Sequence, residues 1–66
     1  MDEKELIQME IGQCKLELAG SDYKVLKYLE GQLSDDEYLE IKEKRIEWRN
    51  RINELEERLT DLQKEN

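Results

Sequence analysis

Between Tyr38 and Leu62 the apolar side chains recur at alternating steps of three and four residues: Tyr38, Ile41, Trp48, Ile52, Leu55, Leu59 and Leu62, with Arg45 the one break in the line. That spacing puts eight positions on one stripe of a helix, the pattern by which two helices pack along their length. Leu39 and Ile46, seven residues apart, widen the stripe over its first half. Just ahead, Ser34-Asp35-Asp36-Glu37 reads as a capping box, in which the serine hydroxyl takes a backbone N–H and Glu37 reaches back to the cap. No proline or glycine follows, so one helix is predicted over residues 35–64, ~45 Å long at ~1.5 Å per residue.

The N-terminal half is less regular. Ile7, Ile11, Cys14 and Leu18 follow steps of four, three and four, while Leu6, Met9 and Leu16 fall on nearly the opposite side. Acids in the first turn favour a helix start there, and Gly20 followed by Ser21 reads as a C-terminal glycine and a new N-cap. Helices are therefore expected over residues 3–19 and 22–31, a first arm that is kinked or broken at Gly20. A helix in a simple hairpin needs one apolar face, so the second face predicts a further helix or a partner chain over it.

These elements predict an all-α, single-domain protein over residues 1–66: an antiparallel helical hairpin, coiled-coil-like, that oligomerises into a helical bundle. The turn falls at Gly31-Gln32-Leu33-Ser34, a usual length for antiparallel helix neighbours. Val25, Leu26 and Leu29 would face Tyr38, Ile41 and Trp48, and the first helix would cover Ile52 to Leu62. Two hairpins joined through Leu6, Met9 and Leu16, with Tyr23 beside them, would make a four-helix bundle or an elongated dimer. A parallel coiled coil of the long helix with its own copy is the alternative topology.

Composition sharpens the need for a partner. A chain of 66 residues buries only ~60% of its unfolded surface and is marginal alone. Cys14 is the only cysteine and there is no histidine, so neither a disulfide framework nor a zinc site supplements the core, and no cofactor is expected. Self-association is the remaining supplement. The net charge of -7 disfavours grip on nucleic-acid backbones, although residues 41–52 hold five bases against two acids. The first 18 residues lack a basic start followed by an apolar run, so no signal peptide or membrane span is predicted, and a cytoplasmic or virion-associated location is expected.

Candidate chemistry is thin. Asp35, Asp36 and Glu37 lack calcium-loop spacing and read as a dipole-favoured helix start. Cys14, between Ile11 and Leu18, reads as a small apolar filler, with a disulfide to a second copy as the alternative. Trp48 with Lys42, Lys44, Arg45, Arg49 and Arg51 imitates an aromatic in a basic patch. Its place on the stripe favours structure instead, with Arg49 and Arg51 set to meet acids such as Glu10, Glu17 and Asp22. Without histidine, and with few hydroxyls, no acid-base or nucleophilic constellation is present, and the chain is not expected to be an enzyme.

From Ser21 to Glu56 the order Asp22-Tyr23-Lys24, Lys27-Tyr28, Glu30-Gly31, Glu37-Tyr38, Ile41, Arg45, Trp48-Arg49 and Ile52-Asn53-Glu54-Leu55-Glu56 covers rather more than half the chain. It resembles a short helical segment of bacteriophage and prophage proteins, especially small open reading frames and tail-associated proteins. The resemblance implies a phage-type origin and a structural or interaction role in or near the virion, and it carries no function residue by residue. Two roles follow as expectations: an assembly or adaptor component whose partners are itself and another phage or host protein, or an acidic regulator docking on a host nucleic-acid-binding protein through residues 2–5 and 35–40. Nucleic-acid binding through Lys42 to Arg51 is the weakest reading.

Overall fold

The computed structural model describes residues 2–64, as two helices, α1 over Glu3–Leu29 and α2 over Asp35–Lys64, packed against each other as a hairpin. Asp2 caps α1, its carboxylate accepting from the Glu5 N–H at 2.8 Å, and Ser34 Oγ accepts from the Glu37 N–H at 3.1 Å at the start of α2. The turn between them depends on Gly31, whose φ of 78° lies in the left-handed region that glycine tolerates. There the Gln32 N–H bonds back to the Lys27 carbonyl at 2.8 Å and the Gly31 N–H to the Tyr28 carbonyl at 3.0 Å. Two otherwise orphaned carbonyls at the end of α1 are satisfied in this way.

The expected break at Gly20 does not occur: α1 runs on through Gly20, Ser21 and Asp22. An interior glycine costs only ~1 kcal/mol of helix propensity relative to alanine, and the seam of α1 carries the chain past it. Ile7, Ile11, Cys14 and Ser21 are buried, while Leu18, Val25 and Tyr28 are half-buried. Steps of four, three, four, three, four and three connect them, without a change of phase at the glycine. Ser21 caps nothing; its hydroxyl donates to the Leu18 carbonyl at 2.7 Å.

Continuity of phase also corrects the contacts expected of the second half of α1. Leu26 and Leu29 stay 57% and 74% exposed, and Tyr28 takes the inward place, stacked on Tyr38 with ring centroids 4.0 Å apart. On α2 all eight stripe positions from Tyr38 to Leu62 are buried or half-buried, Arg45 among them. Ile7, Ile11, Cys14, Ile52 and Leu55 form the core cluster, with Leu18, Trp48, Leu59 and Leu62 packed on it. The α2 seam is thus occupied by α1 within one chain, as the antiparallel hairpin requires, with the first half of α1 over Ile52 to Leu62.

The product is a rod of 51 × 16 × 13 Å with a radius of gyration of 15.2 Å, against about 11 Å for a compact chain of this length. No described side chain is fully buried. A two-helix rod has one interface, so each helix keeps an outward face in solvent.

Candidate functional site

Seam and outward faces differ sharply in chemistry. Along one flank of the seam, Arg58 pairs with Glu3 and Arg51 with Glu10, each at 2.8 Å and each seven residues from the next pair on both helices. Continued by another seven, the same relation brings Glu17 and Lys44 to one cleft, which Lys24 and Glu40 also line. Opposite charges therefore alternate along this flank, a written instruction for antiparallel register. Arg51 is held protonated above its ordinary range by its hydrogen bond to Glu10 and the charge of that carboxylate, with Glu54 adding to both.

The basic stretch of α2 does not present one face. Arg45 and Trp48 turn into the hairpin, and Arg51 is engaged by Glu10, leaving Lys42, Lys44 and Arg49 exposed. Arg45 Nη1 donates to Asp22 Oδ1 at 2.7 Å and to the Leu18 carbonyl at 3.2 Å. Cys14 lies in the core cluster, where its thiol fills the space of a small apolar side chain. Among the described residues, no group of acidic or thiol side chains is arranged to hold a metal ion, and no helix is long and apolar enough to cross a membrane. A shallow concavity of about 580 Å³ lies on the outward side of α2 between Asn53 and Lys64, lined by polar and charged residues.

The outward side of α1 is different. Leu6, Met9, Leu16, Tyr23 and Leu26 are each more than half exposed there. Leu6, Met9 and Leu16, with Tyr23 beside them, were legible as a second face; Leu26 extends it because the helix does not break. Two smaller clefts of about 200 Å³ share Glu17, Ser21, Lys24 and Trp48, and one of them is edged by Leu16 and Gly20. At Gly20 nothing stands within 4 Å of where a Cβ would be, and the half-buried Trp48 lines both clefts. Leu39 and Ile46 of α2 are also about half exposed. Eight large apolar side chains on a chain this small are more than scattered surface exposure requires.

Fold and surface together define a two-helix hairpin with one apolar outward face. No family model matches the chain, and no curated protein or solved structure matches it.

Proposed function

We propose that this is a non-enzymatic helical protein of phage or prophage type, working through helix-to-helix contacts as an assembly or adaptor component and associating with itself. The observation that carries the reading is the exposed apolar line of α1, Leu6, Met9, Leu16, Tyr23 and Leu26, set beside a core in which no side chain is fully buried. Covering that line would supply the burial that a single hairpin lacks. The resemblance of residues 21–56 to phage and prophage segments supports the setting. Sedimentation across a micromolar concentration series tests it. A concentration-dependent rise in mass is expected, and a cooperatively folded, strictly monomeric protein would refute self-association.

One observation favours a second reading, the acidic regulator of a nucleic-acid-binding protein. Glu40, Glu43, Glu47, Glu54, Glu57 and Asp61 follow helical steps along the outward side of α2, where all six are exposed. Such a row attracts a basic groove and is sensitive to salt. Salt-sensitive capture of a nuclease, polymerase or repressor, lost in the Glu47→Lys, Glu54→Lys double variant, would favour this role over assembly.

A further inference from the structure

We propose that the occupant of the α1 face is a second copy of this chain, its α1 lying antiparallel to the first about a twofold axis midway between Leu16 and Ala19. This rests on the self-association above and adds the helix, the direction and the register.

Met9, Gly12, Leu16, Ala19, Tyr23 and Leu26 follow steps of three, four, three, four and three, a second helical seam with no charged member. All six are exposed. The line is self-complementary when reversed. Turning one copy end for end sets Met9 against Leu26, Gly12 against Tyr23 and Leu16 against Ala19, so Tyr23 and Leu16 each meet a small residue and Met9 packs on Leu26. A parallel pairing would set Tyr23 on Tyr23 and Gly12 on Gly12, crowding one level and leaving a gap at the other.

Charge agrees with this choice. Two copies of net charge -7 repel, and the six acids on the outward side of α2 exclude that side as the meeting surface. The α1 line is flanked by Gln8, Lys15 and Asp22 on one side, and reversal carries Lys15 of each copy toward Asp22 of the other. Leu16 of the second copy then arrives beside Ala19 and Gly20, at the edge of the cleft over Trp48. The contact strip is ~26 Å long and one helix wide, smaller than the ~800 Å² per partner of a standard interface. Docking is accordingly expected to be weak, at micromolar concentrations rather than nanomolar.

Disulfide trapping tests the register. In a Cys14→Ala background, Met9→Cys and Leu26→Cys chains are mixed and oxidised; a disulfide in the mixture and none in either chain alone is expected. Ready self-linking of the Met9→Cys chain would indicate a parallel pair and overturn the proposal. Dimers in sedimentation with no cross-link in the mixture would overturn it too, while leaving self-association standing. Should Cys14→Ala destabilise the hairpin, Leu16→Glu in the natural chain examines the same face, with Trp48, the only tryptophan, as reporter. The natural chain is expected to show a blue shift of Trp48 emission with rising concentration, and Leu16→Glu to abolish it with helix content retained. An unchanged shift in that variant would overturn the docking face.

Discussion

Arg45 of α2 reaches across the hairpin to Asp22 of α1, nitrogen to oxygen at 2.7 Å, and on the way bonds the Ser21 hydroxyl. This polar layer interrupts an otherwise largely apolar seam. Such layers commonly specify which residues stand opposite each other at some loss of stability. In Arg45→Leu the Ser21 hydroxyl keeps the Leu18 carbonyl and Asp22 remains solvated, so no polar group is orphaned. Thermal stability is expected to be unchanged or raised. With its seam now free of charge, α2 becomes able to pair with its own copy, and sedimentation should show larger species. Arg45→Ala, which loses the packed stem as well as the bonds, is expected to destabilise by about 1–3 kcal/mol. Equal destabilisation by both variants would mean that the layer stabilises the hairpin rather than specifying its register.

Tyr28 predicts an alkaline sensitivity. Its hydroxyl donates to Asp35 Oδ1 at 2.8 Å, and that hydrogen bond, helped by the carboxylate charge, raises its pKa above the ordinary 10.0. The folded protein therefore keeps this proton to higher pH than the unfolded chain. The contribution is present in full below the unfolded pKa and is lost as pH rises through the folded one. Melting temperature should fall above about pH 10, and Tyr28→Phe, which retains the stack on Tyr38, should fall less steeply. Parallel curves for the two proteins would show that the bond to Asp35 is energetically silent.

The seam assignment separates two leucines that composition cannot. Leu55 is 6% exposed in the core cluster, whereas Leu29 is 74% exposed. Leu55→Ala is expected to cost about 2–5 kcal/mol, enough to unfold so small a hairpin, and Leu55→Asp more, because an unpaired charge is buried. Leu29→Asp should change stability by no more than about 0.5 kcal/mol in the isolated hairpin. Denaturant midpoints of the variants at low concentration decide the matter, and similar losses at both positions would contradict the placement of Leu29.

That contrast also marks how far the fold could be read from the sequence. The α2 stripe was legible because nothing from Asp35 to Lys64 competes with helix and one spacing covers the whole run. On α1 the spacing was legible to Leu18. Beyond it, Gly20-Ser21 carries the same signals as a true helix end, and the propensities there are worth less than the continuing contact with α2. Reading a break reset the helical phase, which pointed Leu26 and Leu29 inward instead of Ser21 and Tyr28. A signal was available: three, seven and ten residues beyond Leu18 stand Ser21, Val25 and Tyr28. Serine gives no apolar cue, however, and its fitness for the seam shows only once Arg45 stands opposite. The outward face was legible as Leu6, Met9 and Leu16 with Tyr23 beside them, and only Leu26 was hidden behind the supposed break, which turned it inward.

Gly12 separates the stability of the hairpin from its association. It lies mid-helix on the outward side of α1, and a Cβ added there meets nothing within 4 Å in the single chain. Gly12→Ala should therefore raise helix propensity and stabilise the monomer by roughly 0.5–1 kcal/mol. Gly31→Ala should do the reverse, since its positive φ disfavours a side chain. In the proposed antiparallel pair Gly12 is the gap that receives Tyr23 of the second copy, and a methyl group there holds the two helices apart. The same substitution is thus expected to move two observables in opposite directions: a higher melting temperature at concentrations too low for association, and a weaker dimer by sedimentation. Were both to rise together, the glycine would have no part in docking, because propensity alone strengthens the helix and the pairing built on it.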